Sequence, residues 1–300
     1  MKTSIRYLLF PGVLSVALSV SLLSIHADWH PEIIVTLLVM SAMFVVHLGE
    51  RIAPYRADWN LARGDVKTDL TSLAVIVLVL DPLIKVGVPL LLSILLISFG
   101  ESAVWQVFPN QWSLLGQLAV FALGAEFGRY WIHRFSHSNH YLWRVHALHH
   151  SAERLYLLNG YRIHPFNFFW NYFFGQLPLI LLGAGEQVVM LYFALSSIIA
   201  AFQHANIDSK NGVLNWVFST NELHRWHHTT DDRVGYKNHG SVLILWDQLF
   251  GTYYSDKTAA SDATNIDNVG LSSPKLYPAN AYFRQVIAPF CWQRCVNREP

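Results

Sequence analysis

The chain has 300 residues, 53% of them hydrophobic and only 14% charged, against about 25% charged in a typical soluble domain. Its 21 Lys and Arg nearly balance 20 Asp and Glu, for a net charge of +1. No Lys/Arg-rich run occurs, which excludes the footprint of a nucleic-acid binder, and ordinary complexity excludes a disordered or collagen-like chain. A polytopic membrane protein remains, with one abnormal residue type: of 15 His, 12 fall between His133 and His239.

Taken in chain order, six apolar stretches are predicted to cross the bilayer as helices, because a helix satisfies its own backbone groups where no water is present. They are Tyr7–Ile25, Ile33–Leu48, Leu70–Phe99, Trp112–Ile132, Phe168–Leu182 and Gln187–Phe202. The first reads as a retained anchor rather than a signal peptide, since its apolar run is long and no small-x-small site precedes Asp28. The third is too long for one straight span. Asp81, Pro82, Lys85 and Pro89 inside it predict a kinked helix or a helix plus an interfacial segment.

The basic residues orient these spans. Connections 26–32, 100–111 and 183–186 contain no Lys or Arg. Arg51, Arg56, Arg63 and Lys67, then Arg134, Arg144, Arg154 and Arg162, and nine more after His204 lie on the other side. The positive-inside rule makes that side and both termini cytosolic. Trp29, Trp105 and Trp112 fall at the predicted outer boundary. Cys291 and Cys295 cannot build a disulfide framework and read as structural. With no repeat or linker, 1–300 is one domain: an all-α polytopic helical bundle, about 1–132 mainly transmembrane, carrying a cytosolic helical cap.

Three His clusters share helical spacing. His133 and His137 are i, i+4; His146, His149 and His150 are i, i+3, i+4; His224, His227 and His228 repeat that pattern. Residues three and four apart lie on one helix face, so each cluster is expected to present its imidazoles towards one point. A capping-box spacing, Ser219-Thr-Asn-Glu222, starts a helix before His224. Isolated His26, His30 and His47 read as interfacial polar residues. Eight convergent imidazoles with no thiolate predict two metal ions in nitrogen-rich coordination.

The run from Glu126 through His133 and His137, then Leu142-Trp-Arg-Val-His146-Ala-Leu-His149-His150-Ser, resembles the fatty acid hydroxylase / sterol desaturase superfamily of integral-membrane di-iron oxygenases. The likeness continues through Arg162-Ile-His164-Pro165, Gln203-His204-Ala-Asn206, Leu223-His224-Arg-Trp-His227-His228 and Asn238-His-Gly240 to Trp246-Asp247-Gln-Leu-Phe-Gly251-Thr-Tyr253. It makes about 126–253 the histidine-box region, with a 168–203 membrane hairpin and 254–300 as a cytosolic tail. The resemblance implies two irons, replaceable by zinc, that activate O2 for attack on a lipid C–H bond. It adds His164 and His204 to the eight as ligands or near neighbours. Two positions depart from the family pattern: Asn167, where an acidic residue is frequent, and His239, where Tyr is usual. His239 is expected to hydrogen-bond as Tyr would rather than to ligate, and His140 to be a surface residue.

Glu126 lies two helical turns before His133, so it either supports a ligand or forms a buried pair with Arg129. Asp247 is a candidate acceptor for a ligand His; Asn206 and Asn238 either do the same or form turns. The sole G-x-G, Gly183-Ala-Gly185, sits in an outer loop, so no nucleotide-binding fingerprint exists. His164-Pro165 is not followed by the Gly-Gly of a cytochrome b5 haem motif. A separate electron donor (cytochrome b5-like, ferredoxin or reductase) is therefore implied. Hydroxylation is the first reading, with desaturation and ether-lipid cleavage as rivals. A histidine-rich metal transporter is the rival of another class, but only Asp81, Lys85 and Glu126 lie well inside spans. Phe166, Phe168, Phe169, Trp170, Phe173 and Phe174 are candidate walls of a lipid path, or simple packing residues.

Overall fold

A computed structural model describes residues 2–99, 106–231, 233–255, 266, 268–272 and 277–295. Trp105 and much of the 254–300 tail lie outside the described residues. Helices α1 (Lys2–His26), α2 (Pro31–Ile52), α3 (Val66–Val75), α4 (Asp81–Phe99), α5 (Leu114–Ser138), α6 (His140–His150), α7 (Pro165–Leu181) and α8 (Glu186–Gln203) build the body. Short helices α9 (Asn221–His227), α10 (Leu245–Leu249), α11 (Tyr282–Ile287) and α12 (Trp292–Cys295) follow. Among the described residues there are isolated antiparallel bridges, such as Pro54 with Ile207, but no strand. The chain is an all-α membrane helical bundle.

Four segments are long and apolar enough to cross a membrane: Lys2–His26, Pro31–Ile52, Val66–Ser98 and Glu186–Gln203. The long third stretch is helical throughout, interrupted by a π-helical segment at Ile76–Leu80 just before Pro82, whose ring removes an N–H from the ladder. The two other expected spans also form helices, though neither is both long and apolar enough to count among those four. Helix α7 has 17 residues, at the short end of the range of about 17–25 that crosses the hydrocarbon. Helix α5 carries Glu126 and Arg129 at mid-length and His133, Arg134 and His137 beyond.

These two helices pack against each other through glycines. A Cβ on Gly128 would sit 1.8 Å from the Phe174 carbonyl oxygen, and one on Gly175 would sit 2.8 Å from Cγ of Arg129. Helix α8 is central, burying Val188, Leu191, Tyr192, Ile198, Ile199 and Phe202 against α1, α2 and α5. Close van der Waals packing of these side chains holds the side of the bundle that supports the cap, since lipid is as apolar as they are.

Buried ion pairs join body to cap. Asp69 of α3 pairs with Arg162 at 2.5 Å, and Asp65, just before α3, pairs with Arg154 at 2.6 Å. Glu50 of α2 accepts from the backbone N–H of Leu157 at 2.7 Å and of Asn206 at 2.9 Å. Asp65 and Asp69 each face a guanidinium, the condition under which a buried charge is tolerated.

Candidate metal centre

Helices α5, α6 and α9 converge with the residue that ends α8. The structure gathers nine imidazoles into two groups whose available ring nitrogens lie within 4.8 Å of one another: His133, His137, His146, His150 and His227 in one, and His149, His204, His224 and His228 in the other. The boxes therefore do not each point to one place, as spacing alone predicts. In α6, His146 and His150 enter the first group while His149 enters the second; in α9 and its C-cap, His224 and His228 enter the second while His227 enters the first. Successive residues are rotated by about 100° on an α-helix, so a helix running between two centres serves both.

Ring orientation is set by oxygens behind the cluster. Nδ1 of His133 lies 2.6 Å from the His239 carbonyl, Nδ1 of His146 lies 2.7 Å from Oδ1 of Asn167, and Nδ1 of His149 lies 3.2 Å from the Arg162 carbonyl. Nδ1 of His204 lies 2.8 Å from Oδ1 of Asn159, and Nδ1 of His227 lies 2.8 Å from the Lys237 carbonyl. Every acceptor is an oxygen, so Nδ1 carries the proton in all five rings. Nε2 is then left with a lone pair facing inward.

The donor set fits metal ions. Nε2 of His133 and of His227 and both ring nitrogens of His137 are buried without a partner, an expense that an unligated core rarely carries. In the second group, Nε2 of His204 lies 3.1 Å from Nε2 of His224, which lies 3.1 Å from Nε2 of His228. Burial pushes the His224 imidazole down to about 3 and His146 down to about 4, the Asn167 amide acting against burial in the latter. Burial first, and then neighbouring imidazoles, lowers His149, His150, His227 and His228 well below the ordinary value. Neutral rings are the ligating form, and an all-imidazole set suits Zn, Cu, Fe or Ni.

Other expected site residues take different places. His164 lies outside both groups because the backbone occupies its ring: Nδ1 accepts from the Phe166 N–H at 3.1 Å as the N-cap of α7, and Nε2 lies 3.1 Å from the Val286 carbonyl. Among the described residues, Asp247 hydrogen-bonds to no ligand ring. It accepts from the backbone N–H of His239 and of Gly240, both at 2.7 Å, and so holds the loop whose carbonyl orients His133. Glu126 forms the buried pair weighed for it, Oε1 lying 3.3 Å from Arg129, while Oε2 accepts from the N–H of Ser241 at 2.9 Å and of Val242 at 2.7 Å in the same loop.

Asn206 and Asn238 serve the backbone, the first at Arg56 and the second, at φ 56°, at Leu223 and Tyr254. His239 stands beside the first group, its ring centroid 5.2 Å from that of His137, with Nδ1 buried and unpartnered. His140 meets Arg144 on the surface. Sequence reasoning missed Asn159, and it missed that Asn167 supplies the acceptor its acidic counterpart would. The three backbone carbonyls carry no residue-type signal at all.

Residues 118–252 match the fatty acid hydroxylase family. Along 96% of this chain and 84% of its own length, the ornithine lipid hydroxylase OlsE of Rhizobium tropici is 30% identical. The chain belongs to the fatty acid hydroxylase family. The alkylglycerol monooxygenase of Danio rerio is 32% identical over 57% of this chain, which spans 36% of that relative. Sphinganine C4-monooxygenase 2 of Arabidopsis thaliana is 22% identical over 54% of this chain and 65% of its own. No solved structure matches. These relatives are lipid hydroxylases and monooxygenases, and the family assignment makes this chain an oxidoreductase acting on lipid, with a His-rich site able to hold metal.

Proposed function

We propose that this protein is a non-haem di-iron enzyme that uses O2 to hydroxylate a C–H bond of a membrane lipid of the ornithine-lipid kind. The observation that carries the reading is the pair of imidazole groups, nine rings of which six are buried and three half-buried, five of them fixed with Nδ1 on oxygen so that Nε2 faces inward. His133, His137, His146, His150 and His227 would hold one ion, and His149, His204, His224 and His228 the other. Bound iron would supply O2 activation and removal of a hydrogen atom from the substrate.

The chain's own residues do the rest. Asn159, Asn167 and the carbonyls of Arg162, Lys237 and His239 keep the rings neutral and aimed. The carboxylates of Glu126 and Asp247 fix residues 239–242 behind them. The apolar helices beneath present lipid and exclude water, which strengthens each polar contact in the site.

The Lys/Arg distribution supports a cytosolic site, reached by a separate cytochrome b5-like, ferredoxin or reductase donor on the basic face. Expression in a lipid-rich host, with comparative lipidomics, should reveal species heavier by one oxygen that vanish in a His149→Ala, His228→Ala variant. Protease added to sealed inside-out vesicles should cut the chain beyond residue 204. Absence of any oxidised lipid from metal-loaded protein supplied with O2 and reductant would reject the hydroxylase reading.

A further inference from the structure

Two cavities meet at one residue. The larger, about 460 Å³, is a groove between α4 and α7 lined by Leu83, Gly87 and Leu91 on one side and Phe169, Trp170 and Phe173 on the other. Leu83, Gly87 and Leu91 are spaced i, i+4, i+8, a single helix face. The lining of α7 runs from Phe166 to Leu177, about 16 Å at 1.5 Å per residue. The smaller cavity, about 90 Å³, lies directly against the imidazoles and is lined by His133, His146 and His204 together with Arg129, Asn171 and Gln203. Trp170 lines both.

Their sizes and chemistry differ in a way that assigns the ends of a substrate. The inner cavity holds only a few non-hydrogen atoms, the liquid volume of one water being about 30 Å³, so a hydrocarbon tail cannot enter it. Its wall mixes apolar surface with the polar side chains of Arg129, Asn171 and Gln203 beside the imidazoles; Nε of Arg129 is buried without a partner, while its NH1 is taken by Glu126 and Tyr192. A methylene chain placed against these donors would leave them desolvated and unbonded, whereas an oxygen function would satisfy them. The groove is the reverse, an apolar trough on a helix pair whose outer member, α4, is largely exposed.

We propose that groove and inner cavity are two halves of one lipid site joined at Trp170: the α4/α7 groove takes the hydrocarbon tail and limits its length, and the inner cavity takes the ester- or amide-linked polar end beside Arg129. This rests on the lipid-hydroxylase reading and deepens it, because the carbon presented to the imidazoles then lies within a few bonds of the polar end. Trp170 is the positioning residue at the junction.

Gly87 offers a clean probe. A Cβ there meets nothing within 4 Å, so the backbone admits a side chain at this position and Gly87→Phe places a ring in the groove. Fatty acyl amides of graded tail length should be measured both as substrates of the iron-loaded enzyme and as ligands of zinc-loaded protein, by displacement of a fluorescent acyl amide. Gly87→Phe should shift the preferred tail to shorter lengths by about tenfold in relative kcat/KM and in relative affinity. Gly87→Leu should shift it less, and metal content should not change. Trp170→Ala should spread oxidation over neighbouring carbons. n-Alkanes of matched length, lacking a polar end, should bind at least about tenfold more weakly. An unchanged length profile in Gly87→Phe overturns the groove assignment even where lipid is oxidised. Equal binding of alkane and amide overturns the assignment of the polar end. A length shift in binding without any oxidised product upholds the groove and counts instead against the hydroxylase reading.

Discussion

Replacing Asn167 by Leu tests how the first group of imidazoles is held. Asn167 lies in the first turn of α7, is buried, and its Oδ1 is 2.7 Å from Nδ1 of His146. Leu has similar bulk and suits a helix, so α7 and the bundle persist while the acceptor is lost. A buried N–H left unmade costs about 1–3 kcal/mol, and loss of a partner that orients a metal-bound His typically lowers affinity about 10–100-fold. At about 1.4 kcal/mol per tenfold, these two magnitudes agree. The assay is competition with a chromophoric chelator on detergent-purified protein, with the second group as internal reference. One ion of two should be released at a chelator concentration lower by about tenfold or more, while helical circular dichroism stays unchanged. Asn167→Asp places a carboxylate on the same nitrogen at a helix N-terminus, where negative charge is favoured, and should hold the ion at least as tightly as Asn. If Asn167→Leu releases both ions together, or neither earlier than the parent protein, the reasoning about His146 fails.

His164→Ala should retain both ions and cost about 1 kcal/mol of stability as a lost N-cap, whereas His228→Ala should release the ion of the second group; metal analysis with thermal denaturation separates the two. Gly128→Ala drives a methyl into the rigid Phe174 carbonyl 1.8 Å away and should destabilise by about 3 kcal/mol, while Gly87→Ala, in open space, should be neutral or stabilise by up to about 1 kcal/mol. Equal losses would refute the close α5 to α7 contact. In metal-free protein the folded-state His146 sits near 4 against an ordinary 6.5, so between those values the unfolded chain holds a proton that the folded chain does not. Its melting temperature should therefore fall as pH drops from about 6.5 towards 4, and a flat profile would contradict neutral buried imidazoles.

What a sequence spells along one helix was legible, and what depends on two elements meeting was not. The i, i+3, i+4 spacing marked every residue of the two groups that lies in the three boxes, and hydropathy marked six spans, of which four are helices long and apolar enough to cross a membrane. The spacing did not tell which box member serves which group, because that depends on where α6 and α9 run relative to α5, and the two helices turn out to pass between the centres. Helices α5 and α7 read as membrane spans from composition. They also pack against each other through Gly128 and Gly175, a contact that apolar content cannot encode.

Glu126 looked costly in a membrane span. Its charge is met by Arg129 and by backbone N–H groups of residues 241 and 242, more than a hundred positions away. The same logic covers Glu50, Asp65 and Asp69, each on or beside a membrane helix and each bonded to residues 154–162 or 206 of the cap. A carboxylate buried this way loses several kcal/mol if its partner shifts, so these contacts fix the cap on the bundle to within a hydrogen-bond length. The residues they grip include Arg162, whose carbonyl aims His149, and they bracket Asn159, whose amide aims His204. A chain with so few charges thus places its buried carboxylates where they set the frame in which the imidazoles converge.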